Sequence, residues 1–195
     1  MDTKKRLLTW LGGGSSMALG LALGLYFFMG HAEKNTDALA TGSLEAAPKI
    51  LGPSGLPLPR FVSLKADKVN VRVGPNSDHK VAWVYERKGL PVEITAEFEN
   101  WRRIRDSDGQ EGWILQNMLS GKRMAAVAPW KPGNVIALHA EESPQSGLVA
   151  RIESGVVGEI ESCSGDWCLV AMAGYEGYME QTMVWGAYPG ERVSN

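Results

Sequence analysis

The amino-acid sequence predicts a mainly β protein: two small five-stranded barrels in tandem, preceded by an apolar N-terminal helix and a flexible linker. Three observations support this fold class. Short runs rich in β-branched and aromatic residues alternate with turn residues over most of the chain. The same pattern occurs twice, at an offset of about 65 residues. A long uncharged stretch, finally, begins close to the N-terminus.

The composition is that of a globular protein without a strong charge bias. The chain has 195 residues, 44% of them hydrophobic and 22% charged, and a formal net charge of -2. A general nucleic-acid binder carries a large positive excess, so no nucleic-acid partner is expected. Three histidines are present, and none lies near Cys163 or Cys168 in sequence. We therefore expect no metal site and no other cofactor.

Residues 1–30 predict a signal peptide or a transmembrane anchor. Lys4, Lys5 and Arg6 precede an uncharged stretch from Leu7 to Gly30. As a helix this stretch would be about 36 Å long, enough for a hydrocarbon core of about 30 Å. The basic cluster predicts that everything downstream is exported. Cleavage after Ala32 and retention as an anchor both remain open.

Residues 31–60 are predicted to be a flexible linker. This stretch contains four prolines, three glycines and five alanines, and its apolar residues do not alternate with polar ones. The prolines are spaced so that a regular element is not expected.

An internal repeat fills the remaining chain, as residues 61–124 and 125–190, followed by a tail at 191–195. Gly89–Ile94 aligns with Gly155–Ile160, and Glu111–Trp113 aligns with Glu176–Tyr178. Five short strands are predicted in each copy. They are Val69–Val73, Val81–Tyr85, Val92–Phe98, Trp101–Arg105 and Gly112–Leu115 in the first copy, and Val135–His139, Leu148–Ile152, Val156–Cys163, Trp167–Met172 and Gly177–Met179 in the second.

An ordered set of short motifs in the first copy resembles the bacterial SH3-like domain of exported proteins. The motifs are Asn70–Pro75, Lys88–Val92, Asn100–Ile104, Asp108–Gly109, Glu111–Trp113 and Met118–Gly121. The resemblance implies a noncatalytic five-stranded β-barrel that belongs to the cell envelope and binds peptidoglycan or a peptide. In the second copy, His139 falls near the place of Arg72 and Glu141–Glu142 near that of Gly74–Pro75.

Cys163 and Cys168 are expected to form a disulfide. They flank Ser164–Trp167 at the predicted end of a β-hairpin, opposite each other on two strands. An exported location favours the bond. Free buried thiols and a redox-active pair are the alternatives.

The fourth strand of the first copy is a candidate binding surface. If Ile104 points inward, Trp101, Arg103 and Arg105 share the outer face. Such a stripe can stack on sugar or peptide planes and pair with carboxylates. The alternative is a solvated strand face with Trp101 half-buried. In the second copy Trp167 occupies the place of Trp101, and the stripe is uncharged.

Further aromatic residues are candidates for a binding groove, and some of them must instead fill the small cores. The candidates are Trp83, Tyr85 and Trp113 in the first copy, and Tyr175, Tyr178 and Trp185 in the second.

Charge is divided unequally between the copies. Residues 61–124 hold 11 basic and 9 acidic residues, whereas residues 125–195 hold 3 basic and 9 acidic ones. The asymmetry favours packing of the barrels on each other or contact of the first barrel with an anionic polymer, and solubility alone would also account for it.

These observations together predict an exported, noncatalytic binding protein that contacts peptidoglycan or an envelope peptide. It would be periplasmic, or anchored in the inner membrane with its C-terminal part in the periplasm. A periplasmic protein–protein interaction scaffold tethered to the inner membrane is the alternative. An enzyme is not expected, because no nucleophile motif or carboxylate pair is evident and the two barrels occupy the chain beyond the linker.

Overall fold

The computed structural model describes residues 50–194. The predicted signal peptide or anchor at 1–30 and residues 31–49 of the predicted linker lie outside the described residues. Between residues 50 and 194 the chain is mainly β, and its helical segments are two short 3-10 turns, Gln116–Met118 and Gln181–Met183. No helix in this range is long and apolar enough to span a bilayer.

The described residues begin with a small hairpin, which differs from the flexible linker expected there. Strand β1 (Ile50–Leu51) pairs with β2 (Pro57–Leu58) in antiparallel register. The turn between them is closed by hydrogen bonds from Gly52 N–H to Leu56 and from Gly55 N–H to Gly52. Prolines are tolerated here because both strands of a two-stranded sheet are edge strands, in which many backbone N–H groups need no partner in the sheet.

The first repeat forms one antiparallel sheet of seven strands. They are β3 (Arg60–Leu64), β4 (Val69–Arg72), β5 (Val81–Tyr85), β6 (Pro91–Phe98), β7 (Trp101–Arg105), β8 (Glu111–Leu115) and β9 (Leu119–Ser120). Their order in the sheet is β5-β4-β8-β7-β6-β3-β9. The five predicted strands are all present, and the short β3 and β9 complete the sheet.

The second repeat has the same topology. Its strands are β10 (Met124–Val127), β11 (Val135–His139), β12 (Leu148–Glu153), β13 (Val157–Cys163), β14 (Trp167–Met172), β15 (Tyr175–Glu180), β16 (Val184–Trp185) and β17 (Val193–Ser194). Their order is β12-β11-β15-β14-β13-β10-β16, with β17 beside β13. Met124, expected to end the first repeat, therefore begins the second, and β17 extends the sheet where a tail was expected.

Each sheet encloses its own apolar core. Alternate residues of the strands point inward, as the period of two requires. The fully buried side chains of the first core are Leu64, Val69, Val71, Val92, Ile94, Ile104 and Ile114, and those of the second include Leu138, Ile152, Ile160, Val170 and Met179. Gly112 lies against Val71, with which a Cβ would collide, and close to the indole of Trp83, which a Cβ would approach to 3.1 Å. Glycine at this position therefore leaves room chiefly for the buried Val71 side chain.

The two repeats pack against each other through an aromatic cluster. Phe61, which is 7% exposed, contacts Trp185 edge-on at 5.0 Å between ring centroids and Tyr188 at 4.7 Å. The indole Nε1 of Trp185 donates to the Pro91 carbonyl at 3.1 Å. Packing between the repeats, one of the explanations for their unequal charge, is therefore observed.

A buried ionic network reinforces this interface. Glu93 is 2% exposed and accepts hydrogen bonds from Arg105 and from the Tyr188 hydroxyl, the latter at 2.8 Å. Burial of the Tyr188 hydroxyl, together with its bond to Glu93, raises its pKa. At the rim, Arg87 donates to the Gly155 carbonyl at 2.9 Å and Lys122 pairs with Glu159.

The disulfide between Cys163 and Cys168 is present, and the prediction is confirmed. The two residues are directly opposite in the register of β13 and β14, with their Cα atoms 4.1 Å apart. Both side chains are buried in the second core.

Replacing both cysteines by serine is expected to lower the free energy of unfolding by about 2 kcal/mol, because the bridge restricts a short loop in the unfolded chain. Urea unfolding of the oxidised wild type, the reduced wild type and the double variant measures the effect. The reduced wild type and the double variant should have similar midpoints, below that of the oxidised wild type. Equal midpoints for all three samples would contradict the prediction.

Candidate functional site

A cleft of about 690 Å³ lies along one edge of the first repeat. The turn of the N-terminal hairpin forms one wall, and the 3-10 turn with β9 forms the other. Its lining residues are Ser54, Leu56, Arg60, Phe61, Val62, Ile94, Arg102, Gln116, Asn117, Leu119, Ser120, Gly121 and Arg123. The volume lies in the range of roughly 300 to 1,000 Å³ that is typical of ligand pockets.

Glu97 ties the hairpin to the sheet and so shapes the cleft. Its side chain is 1% exposed and accepts hydrogen bonds from the backbone N–H and the hydroxyl of Ser54, both at 2.8 Å. It also pairs with Arg60 at 2.6 Å and with Arg102 at 3.3 Å. Burial alone would raise the pKa of Glu97, but the bonds from Ser54 and Arg60 outweigh it and hold the pKa at about 2.

Arg102 lies on the same inward-facing side of β7 as Ile104, an unusual position for a charged residue. The guanidinium is satisfied there by several acceptors: Glu97, the side-chain carbonyl of Gln116, and the carbonyls of Glu99 and Trp101. It is thereby fixed in the cleft wall without an uncompensated buried charge.

Arg123 contributes the third guanidinium from the segment between the repeats. It pairs with Glu191, each of its two terminal nitrogens lying 2.9 Å from a carboxylate oxygen, and it also donates to the Gly186 carbonyl at 2.7 Å. Its guanidinium carbon lies 6.0 Å from the centre of the Phe61 ring. The second repeat therefore positions a charged group at the edge of a cleft in the first.

The side chains that line the cleft carry a positive formal charge. Three arginine side chains line it, whereas its lining contains no acidic side chain. Two carboxylates, Glu97 and Glu191, neutralise part of this charge from positions outside the lining. Three arginines against two carboxylates leave a formal excess of one positive charge, and partly buried charges are less screened by solvent than exposed ones.

The predicted stripe on β7 is only partly an exposed surface. Trp101 is 8% exposed, so the expectation that it lies open on the outer face is wrong. It borders a small pocket that is also lined by Arg72, Leu115 and Met118, and Leu115 is directly opposite it in the register of β7 and β8. Burial of a large aromatic side chain is favourable even on the nominally outer face of such a small sheet.

Arg103 and Arg105 are exposed, as expected, but each is paired within the chain. Arg103 lies 2.5 Å from Glu111 on the neighbouring strand, and Arg105 lies 2.5 Å from Glu93. Arg105 thereby supports the packing of the two repeats.

Both repeats match a known domain. Residues 65–121 and 134–186 each match the family of the bacterial SH3 domain, and together they cover more than half of the chain. The chain belongs to the bacterial SH3 domain family. Each match falls within one of the two sheets, so the chain contains a first and a second SH3 domain.

Two solved structures from Trichomonas vaginalis show similarity to the chain. The structure of NlpC2 is 13% identical, with a TM-score of 0.30, and the match covers 65% of this chain and 48% of that one. The structure of NlpC1 is 15% identical, with a TM-score of 0.31, and covers 69% and 48%. The chain thus spans about half the length of each. No curated protein sequence matches it significantly.

Trp83 and Tyr85 close one side of the first SH3 domain's core. Both are half-buried, with ring centroids 6.0 Å apart in an edge-on contact. The Tyr85 hydroxyl donates to Asp106 at 2.7 Å. Burial of this hydroxyl and then its bond to Asp106 raise its pKa. These two aromatics pack against the core rather than forming an open groove.

The structure does bring several other predicted residues together on the outer faces of the SH3 domains. In the first domain, Trp113 lies opposite Arg103 in the strand register and next to Arg72. In the second, Tyr178 lies opposite Leu169 and next to His139, whose ring contacts Trp167 edge-on at 5.6 Å. The equivalent face therefore combines arginines with an aromatic ring in the first domain, and a histidine with aromatic rings in the second.

Sequence reasoning did not identify the cleft. A signal for one of its residues was present, because the alternation that places Ile104 inward also places Arg102 inward. The contributions of Ser54 and Arg123 could not be inferred, since they depend on how the hairpin and the second SH3 domain pack.

Proposed function

We propose that the protein is an exported, noncatalytic module that binds peptidoglycan through the cleft of its first SH3 domain. The observation that carries the proposal is the cleft itself: a concave surface of about 690 Å³ with an apolar floor and polar walls, in a pair of bacterial SH3 domains. Apolar floors with a few convergent polar groups are typical of ligand sites.

The second SH3 domain supports this site rather than duplicating it. It supplies the partners Glu191 and Gly186 that hold Arg123 in the cleft wall. Export rests on the basic cluster and apolar stretch at the N-terminus, which predict that the SH3 domains lie outside the cytoplasm.

Filling the cleft is expected to abolish binding to purified cell-wall sacculi. Gly121 lies in the cleft lining, is exposed, and has open space where a Cβ would lie. Gly121→Trp therefore places an indole in the cleft without disturbing the core. Cosedimentation of the full-length protein with sacculi at low salt measures the effect, and we expect at least a tenfold loss of the bound fraction.

Gly147→Trp is the matched control. Gly147 is also exposed, lies in the second SH3 domain away from the cleft lining, and would place its Cβ in ordinary contact with Ala140 at 3.9 Å. This variant should sediment like the wild type. If the wild type does not sediment with sacculi while a known wall binder does, peptidoglycan is the wrong ligand. Retention of an envelope protein after removal of the wall would then favour an interaction scaffold.

A further inference from the structure

We infer that the cleft recognises the free carboxylate of a peptide. The inference rests on the proposed function and names the chemistry of the ligand. The inference follows from the charge of the cleft, from the donors along its wall and from its apolar floor.

The charge favours an anion. Arg60, Arg102 and Arg123 come from three separate segments, β3, β7 and the connection between the SH3 domains, and converge on one cleft. Glu97 and Glu191 supply two negative charges against these three positive ones. The arrangement retains one positive charge, and the planar guanidinium group is well suited to carboxylates.

The arginines are held in place before a ligand arrives. The exposed side-chain fractions of Arg60 and Arg123 are 17% and 19%, so both side chains are largely packed although they line the cleft. Fixed charges lose little conformational freedom on binding, which favours affinity for a small anion.

The rest of the lining suits a peptide rather than an isolated inorganic anion. Asn117 and Ser120 place an amide and a hydroxyl group along one wall, where they can bond to peptide groups, whereas the Gln116 amide is already held by Arg102 and Asn100. Phe61, Val62 and Leu119 supply an apolar surface for small side chains. A cleft of about 690 Å³ has room for a ligand much larger than a phosphate or sulfate ion.

The test compares one peptide as its free acid and as its C-terminal amide. Fluorescently labelled acetyl-Lys-D-Ala-D-Ala is titrated with the full-length protein, and fluorescence anisotropy gives the dissociation constant. We expect the acid to bind at least tenfold more tightly than the amide, with the difference shrinking as salt is added. The all-L peptide acid forms a second arm, which separates a wall peptide from a protein C-terminus.

Charge substitutions at the cleft wall provide a second readout. Asn117 is exposed and lines the cleft, so Asn117→Asp adds a negative charge with almost no change in shape. We expect this variant to weaken binding of the acid about fivefold, and Asn117→Lys to strengthen it. Binding of the amide should not change. Asn134→Asp, at an exposed position of the second SH3 domain, is the charge-matched control.

The outcomes separate this inference from the proposed function. If sacculi bind in a manner that depends on Gly121 but acid and amide bind equally, the carboxylate inference is wrong and the binding function stands. If Asn134→Asp weakens binding as much as Asn117→Asp, the loss reflects the overall charge of the protein rather than recognition in the cleft, and the carboxylate inference is wrong. If neither peptide nor sacculi bind, both proposals are wrong.

Discussion

Phe61→Ala is expected to lower the free energy of unfolding by about 3 to 5 kcal/mol and to uncouple the two SH3 domains. Phe61 is the shared element of the interface, since its ring packs on both Trp185 and Tyr188. The substitution leaves a cavity between these two rings. It also exposes Glu93 to water, although that carboxylate is buried in the wild type.

Differential scanning calorimetry measures both consequences. The wild type should unfold in one transition because the interface couples the domains, and the variant should show two. Phe98→Ala is the matched control: Phe98 is 50% exposed, and its loss should change stability by less than about 1 kcal/mol. Two transitions in the wild type, or equal losses in the two variants, would show that the interface does not couple the domains.

Glu97→Gln is expected to release the N-terminal hairpin and to lower the free energy of unfolding by about 3 kcal/mol. The change leaves two arginines, Arg60 and Arg102, without their shared buried carboxylate. Removing one partner of a buried ion pair is strongly destabilising because the remaining charge is not compensated. Hydrogen exchange followed by mass spectrometry should show faster exchange at residues 50–58. Glu86→Gln, which removes a surface pair with Lys68, is the control and should have little effect.

The pKa of Glu97 predicts that the stability of the protein depends on pH. The pKa of Glu97 in the folded protein is about 2, below its ordinary value of 4.5. A depressed pKa means that the stabilisation is fully present above pH 4.5 and is lost as the pH falls towards 2. Urea midpoints measured between pH 6 and pH 2.5 should therefore fall more steeply for the wild type than for Glu97→Gln. Parallel curves would contradict the assignment.

The parts of the fold that depend on local sequence could be predicted. Alternating apolar residues located the five main strands of each repeat, and Ile104 lies inward as its position in the alternation requires. The disulfide could be predicted for the same reason, because Cys163 and Cys168 are opposite each other across a short hairpin.

The parts of the fold and of the site that depend on distant contacts could not be predicted from the sequence. Residues 50–58 have the proline-rich composition of a linker, and they are ordered by Glu97, which lies 43 residues beyond Ser54 in the chain. Trp101 has the correct strand parity for an outer position, but its neighbours in space bury it. The cleft itself depends on Arg123, whose partners are 63 to 68 residues further along the chain.

The most direct test of the account is an NMR map of where peptidoglycan fragments bind. Soluble muropeptides are titrated into the isotopically labelled protein, and amide shifts are followed. The account predicts that the largest changes occur around the cleft, at residues such as Ser54, Asn117 and Gly121. Changes confined to the outer faces, at Arg103, Trp113 and Tyr178, would contradict it and place recognition on the exposed aromatic surfaces instead.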